Sequence, residues 1–274
     1  MTDAEKSSDA RPSRNRLRER LDAGEYVIGL TVTTGNPEAA VLAAKLGFHF
    51  LWVEMEHSPV SLESLRALVL ATARMEAAVL ARVPVVALWT AKRVLDQGVR
   101  GVIFPFVSDA EMARTAAQAC RYPPVGLRGS GAGLAASTWF EPGNYYDSAD
   151  ANMLTVVVIE EKRALEQVDA IAATPGVDVL FIGTSDLSFS LGLRGRQDEP
   201  LLQEAIATIR SAALRHKKFL GRPAGSAEDV SRYHKEGFQF FQSVTELGLM
   251  RLGAEQILRP LGIHPSASNE GALY

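Results

Sequence analysis

Two carboxylates stand at the ends of apolar runs. Glu160 closes Thr-Val-Val-Val-Ile-Glu from Thr155, and Asp186 follows Val-Leu-Phe-Ile-Gly from Val179, 26 positions further on. Short runs of this kind, rich in β-branched residues, read as buried strands. If both strands belong to one parallel barrel, they carry their carboxylates to the same rim, where the pair can hold one hard divalent cation in a cleft. That geometry points to an enzyme.

The elements that would position the pair follow from the rest of the chain. Strand signals recur at Val27 to Thr33, Phe50 to Glu56, Val79 to Pro84, Val102 to Val107, Thr155 to Glu160, Val179 to Gly183, Phe219 to Arg222 and Gln239 to Val244. Helical stretches lie between them, with Asn36-Pro37, Ser61, Asp109 and Ser226 as N-terminal caps. Glycines 47, 98, 176 and 237 fall where helices end in the left-handed region. Eight such units, with strands apolar on both faces, favour a (β/α)8 TIM barrel over an open doubly wound sheet. An early helix from about Arg14 to Ala23 would plug its N-terminal end.

Composition limits the partners. The chain has 274 residues, 47% of them hydrophobic and 22% charged, with a net charge of −3, which suits one large α/β domain over residues 14–262. Basic and acidic residues are mixed, so there is no stripe for nucleic acid and no polybasic membrane patch. Small molecules are the expected partners. The single cysteine, Cys120, cannot make an internal disulfide or a thiolate zinc cage, which fits a reducing cytoplasm. No apolar run approaches the roughly 18 residues of a membrane span. Residues 1–13 read as a disordered lead-in and 263–274 as a loosely ordered tail.

In barrels of this kind the chemistry sits at the C-terminal strand ends. Those positions hold Glu54, Glu56 and His57 after the second strand, Arg82 near the end of the third, Glu160 after the fifth and Asp186 after the sixth. The segment Tyr122-Pro-Pro-Val-Gly-Leu-Arg-Gly-Ser-Gly-Ala-Gly133 reads as an active-site loop centred on Arg128, whose flanking glycines leave room for a carboxylate to approach the guanidinium. Arg82 lies in an apolar stretch and needs an anionic partner, either the substrate or a glutamate. Of Glu54 and Glu56, one is expected to point into the barrel and support metal-bound waters, the other to hold a loop amide.

Together these segments resemble a known family. Glu56-His57-Ser-Pro59, Arg121-Tyr-Pro-Pro-Val-Gly-Leu-Arg-Gly129, Ile159-Glu160 and Gly183-Thr-Ser-Asp186-Leu-Ser188 look like the HpcH/HpaI aldolases, metal-dependent enzymes acting on 2-keto-3-deoxy sugar acids and 4-hydroxy-2-oxoheptanedioate. Spacing agrees as well: 25 positions from His57 to Arg82, 14 from Arg82 to Asp96 and 26 from Glu160 to Asp186. The resemblance runs from about Gly29 to Gly262 and implies a class II pyruvate aldolase. Glu160 and Asp186 would bind Mg²⁺ or Mn²⁺, with Co²⁺ a further candidate, leaving positions for water and a 2-oxo acid. Arg82 would add positive charge at the enolate oxygen or carboxylate, and the amides of Ser185 and Asp186 would grip that carboxylate. His57, oriented by Asp96, would be the general base for the 4-hydroxyl. Arg128 would face the aldehyde half.

Departures from the family pattern suggest an altered pocket. Val158 stands where Gln is expected, Thr184-Ser185 where Pro-Ala is usual, Glu54 where Asp is common, and Ser243-Val-Thr-Glu246 where Gly-Thr-Asp is typical. An oxaloacetate decarboxylase, a macrophomate synthase-like or citrate lyase-like enzyme would share the same enolate chemistry, and a barrel that binds a keto acid without turning it over is the non-enzymatic alternative. The last helix, Leu247 to Leu261, carries more apolar surface than one barrel flank needs. The resemblance implies that this helix is exchanged between subunits of a homohexamer, a trimer of dimers.

Overall fold

The computed structural model describes residues 15–139 and 144–264; the lead-in and all but the first two residues of the tail lie outside them. Eight parallel strands close into a barrel in chain order. They are β1 (Val27–Val32), β2 (Phe50–Glu54), β3 (Ala78–Arg82), β4 (Gly101–Phe104), β5 (Leu154–Ile159), β6 (Val179–Ile182), β7 (Phe219–Pro223) and β8 (Phe240–Thr245). The helices of the described residues are α1 (Arg16–Asp22), α2 (Pro37–Leu46), α3 (Leu62–Thr72), α4 (Leu88–Asp96), α5 (Ala110–Ala119), α6 (Gly133–Trp139), α7 (Tyr145–Ala149), α8 (Lys162–Ala173), α9 (Thr184–Ser190), α10 (Pro200–Arg215), α11 (Ala227–Lys235) and α12 (Glu246–Leu258).

Alternation along each strand divides the core in two. Val53, Val157, Leu180 and Phe241 point outward and pack beneath the helices, whereas Phe50, Trp52, Leu80, Ile103, Val156, Val158, Phe181 and Phe240 fill the barrel. Phe50 stacks on Phe240 at 4.5 Å, and Trp52 meets Phe181 at 4.9 Å. Such large rings fit inside the barrel because two glycines, on β1 and β7, lie against them. A Cβ on Gly29 would stand 2.2 Å from the Phe50 ring, and one on Gly221 2.7 Å from Phe181. Each fully buried large side chain contributes roughly 1.5–3 kcal/mol. Leu17 and Leu21 of α1 join this inner cluster, so α1 closes the N-terminal end of the barrel, tied there by Asn15 to Asn152 and Arg100 and by Arg18 to Asp178.

The local signals explain the helix ends. Asn36, Ser61, Asp109 and Ser226 accept from the amides of Ala39, Ser64, Met112 and Asp229, and glycines 47, 98, 176 and 237 all have φ between 83° and 101°. α8 and α10, which had no cap of the expected kind, complete the layer over β5 to β7. α12 differs from the other long helices: Gly248 is its one buried residue, and Met250 and Ile257 are 67% and 68% exposed. Among the described residues, no helix is long and apolar enough to cross a membrane.

Candidate active site

The strand register brings Glu54 beside Arg82 at the C-terminal ends of β2 and β3. Glu54 is 1% exposed, and its carboxylate is fully engaged. Oε1 accepts from the amides of Glu56 at 2.8 Å and His57 at 3.0 Å, and Oε2 accepts from Arg82 Nε at 2.6 Å and Trp52 Nε1 at 3.3 Å. Glu54 is therefore both the anionic partner that a buried guanidinium needs and the acceptor that shapes the following turn. Ser58 adds a hydrogen bond from its hydroxyl to the Glu54 carbonyl.

Glu56 holds no loop amide through its buried oxygen. Its Oε2 lies 3.2 Å from Arg82 Nε and 3.5 Å from His57 Nε2, yet it makes no hydrogen bond. Burial pushes its pKa up, Arg82 and His57 draw it back, and the nearby carboxylates of Glu54 and Asp186 raise it further. The imidazole of His57 is 37% exposed at this edge.

Across the rim, Glu160 follows β5 and is almost wholly buried. Its Oε1 accepts from the Phe106 amide at 2.7 Å; Phe106 is held at φ 50°, an uncommon conformation for a phenylalanine. Oε2 lies over Gly183, where a Cβ would stand only 2.6 Å away. Val158, one turn of the pleat below, forms an apolar floor. Burial pushes the Glu160 carboxyl up to about 7; the Phe106 amide and Arg82 oppose the shift, and the charges of Asp186 and Glu56 add to it. Asp186 itself lies in the first turn of α9, solvent-exposed.

This constellation fits a divalent cation. One orphaned carboxylate oxygen on Glu56, a buried Glu160 that resists ionisation and an exposed Asp186 make an all-oxygen, electron-rich set suited to a hard ion. Among the described residues, no three His, Cys, Asp or Glu side chains converge as a ready-made cage, so Glu160 and Asp186 would share the ion with water or substrate oxygens.

Two expected site residues lie elsewhere in the chain. Asp96 closes α4, a helix descending from the β3 rim, and its charged neighbours are Arg128 and Lys92. Arg128 is fully buried; Nη2 donates to the Tyr145 hydroxyl at 3.1 Å and stands 3.6 Å from Asp96 Oδ1, and the guanidinium lies 4.6 Å from the Tyr122 ring. Its Nε and Nη1 make no hydrogen bond, and Asp96 Oδ1 has only this ion pair. Ser185 and Asp186 occupy the first turn of α9, where amides lack partners within the helix. Reading the sequence did not single out the Phe106 amide or the space over Gly183, since neither residue type carries a signal for its contact.

The family model for HpcH/HpaI aldolase/citrate lyase matches residues 28–251. The chain belongs to that family. A hydroxypyruvate/pyruvate aldolase of Paraburkholderia phytofirmans is 34% identical over 253 residues, covering 89% of this chain and 96% of the relative. A 5-keto-4-deoxy-D-glucarate aldolase of Klebsiella pneumoniae is 32% identical over 243 residues, covering 89% and 95%. Among solved structures, an HpcH/HpaI aldolase/citrate lyase family protein from Burkholderia cenocepacia superposes with a TM-score of 0.85 at 31% identity, covering 91% of this chain and all of that one. The HpcH/HpaI chain described here is a carbon–carbon lyase acting on small molecules.

Proposed function

We propose that the enzyme is a metal-dependent aldolase that reversibly cleaves a 4-hydroxy-2-oxo acid to pyruvate, or a related 2-oxo acid such as hydroxypyruvate, and an aldehyde. The observation that carries this reading is the rim itself: a buried Glu160 within reach of the charge of Asp186, with Arg82 and His57 at the end of β3 and just past β2. Glu160 and Asp186 would hold the cation, Mg²⁺ or Mn²⁺ with Co²⁺ a further candidate, and its positive charge would stabilise negative charge developing at the 2-oxo group. Arg82, locked by Glu54, is pre-organised to add charge at the same oxygen or at the carboxylate. The amides of Ser185 and Asp186 bind the carboxylate.

His57 takes the proton of the 4-hydroxyl. As that O–H electron pair forms the aldehyde carbonyl, the C3–C4 bond breaks and its pair enters the C2–C3 enolate, which is then protonated at C3 to give the 2-oxo acid. In condensation His57 returns its proton to the new alkoxide. Asp96 orients His57 across a subunit boundary, because it closes α4 below the rim of its own barrel; Arg128, expected at the aldehyde half, is instead buried against Tyr122 and Tyr145, where it can only hold Asp96 in place. The exposed apolar side of α12 supports the homohexamer this requires.

The test is pyruvate release, coupled to lactate dehydrogenase, from a panel of 4-hydroxy-2-oxo acids by EDTA-stripped protein with and without Mg²⁺ or Mn²⁺. Metal-dependent turnover lost in Asp186→Ala is the expected result. Decarboxylation of oxaloacetate with no aldol cleavage would overturn the aldolase assignment while leaving the enolate chemistry in place.

A further inference from the structure

The carboxylate of Glu246, the first residue of α12, reaches back to the opposite end of the chain. Its Oε1 accepts from the Thr33 amide at 2.7 Å, the Thr34 amide at 2.6 Å and the Thr34 hydroxyl at 2.8 Å, and its Oε2 lies 3.4 Å from the Thr33 hydroxyl. Thr33 and Thr34 begin the loop between β1 and α2, immediately past the rim end of β1. One carboxylate thus satisfies two successive backbone donors that no strand partner reaches.

That loop does not stand alone. Gly35, at φ 66°, approaches so closely that a Cβ there would lie 3.0 Å from Ser64 Cβ and 3.5 Å from Val60 Cγ2. Val60 ends the turn His57-Ser58-Pro59-Val60, and Ser64 lies in the first turn of α3. The His57 turn is therefore held from both sides, by the Glu54 carboxylate within the barrel and by the β1–α2 loop outside it.

We infer that Glu246 is a positioning residue: by pinning Thr33 and Thr34 it seats the β1–α2 loop against the His57 turn and so fixes the general base. Its catalytic consequence rests on the aldolase reading of the site, whereas its structural consequence does not. Because Glu246 opens α12, whose far end is largely exposed, the placement of that helix is transmitted to the base through this one side chain.

The experiment compares Glu246→Ala with Glu246→Gln in the full chain. Three quantities are read: hydrogen exchange of the peptide spanning residues 30–36, the rate and pH dependence of His57 carbethoxylation by diethyl pyrocarbonate, and kcat and KM in the lactate dehydrogenase-coupled assay. In Glu246→Ala the loop should exchange at least tenfold faster, the His57 profile should shift, and kcat should fall roughly tenfold, as small misplacements of a catalytic group do. Glu246→Gln keeps an oxygen for the two amides, so it should stay within about twofold of wild type on all three. Faster loop exchange with an unchanged His57 profile and unchanged kcat would overturn the inference, leaving Glu246 a tie for the strand end. So would a glutamine variant as impaired as the alanine. If wild type cleaves no 2-oxo acid, the aldolase reading fails, and exchange with carbethoxylation still decides the role of Glu246.

Discussion

Acidification should release the metal well before it unfolds the barrel. The Glu160 carboxyl is pushed up to about 7 from an ordinary 4.5, mainly by burial, and a cation must displace its proton to bind. Apparent affinity then scales with the ionised fraction. At pH 5.5 that fraction is about 3%, so affinity should drop about thirtyfold between pH 8 and pH 5.5, or about 2 kcal/mol. An ordinary carboxylate would stay about 90% ionised at pH 5.5 and lose almost nothing. Titration of EDTA-stripped protein with Mn²⁺, followed by electron paramagnetic resonance at constant ionic strength, should give log K against pH with a slope near +1 below pH 7 and a plateau above it. A change of less than about twofold over the range would refute the burial argument. The linked stability has a defined sign. Between pH 4.5 and 7 the folded metal-free protein keeps a proton that the unfolded chain has lost, so its stability falls as pH rises through this window, by at most about 3 kcal/mol. Glu160→Gln should remove the share of that slope due to Glu160, leaving the smaller one of the same sign from Glu56 and Asp96.

Two substitutions probe the parts around this carboxylate. Gly183→Ala places a methyl group 2.6 Å from Glu160 Oε2 and 3.1 Å from Val158 Cγ1; with Oε1 anchored by Phe106, the carboxylate must swing away, and kcat/KM and Mn²⁺ affinity should both fall about a hundredfold. Unchanged affinity would show that Oε2 is not a ligand. Glu54→Gln puts an amide group where four donors converge, so one donor must face another; kcat/KM should fall ten- to a hundredfold in coupled assays while Mn²⁺ affinity stays within about threefold. Loss of metal binding would instead place Glu54 in the metal shell.

The barrel was legible because its signals are local and repeated. All eight strands coincide with runs picked out by β-branched composition, and caps such as Asn36 and Ser61 make the hydrogen bonds their residue types imply. What stayed ambiguous depends on direction and distance. Glu54 and Glu56 are two apart, so alternation assigns both to the interior; only the end of β2 at Glu54 separates the one that clamps the turn from the one left over. Arg128 shows a second limit. The glycines beside it suggested open space for a ligand, but a Cβ on Gly126 would stand 2.3 Å from the Arg121 carbonyl and 2.5 Å from that of Gln118. That glycine lets the loop fold back on α5, where Leu127 and Arg128 donate to those same carbonyls. A glycine that admits a ligand and one that admits backbone look alike in a sequence.

The charge balance at the rim explains why these residues belong together. Glu54, Glu56, Glu160 and Asp186 face one guanidinium, Arg82, and Glu54 takes up its Nε–H at 2.6 Å. Of the remaining three carboxylates only Glu56 has His57 as a further basic neighbour, and the surplus of negative charge is why Asp186 and Glu56 raise the pKa of Glu160 and Asp186 raises that of Glu56. An isolated cluster of this kind would be costly to keep ionised. Protons can relieve it, but a neutral Glu160 then offers little to a developing enolate. In the proposed reading a divalent ion would relieve it with Glu160 and Asp186 as its ligands, and the substrate anion would offset the charge the ion adds. The burial that raises the pKa of Glu160 would also limit solvent screening on its side of the site, strengthening the field that a cation held there would supply. Filling the floor at Val158 with a polar side chain would lower that pKa and weaken this field together, so an apolar residue there would set the strength of the site as well as its shape.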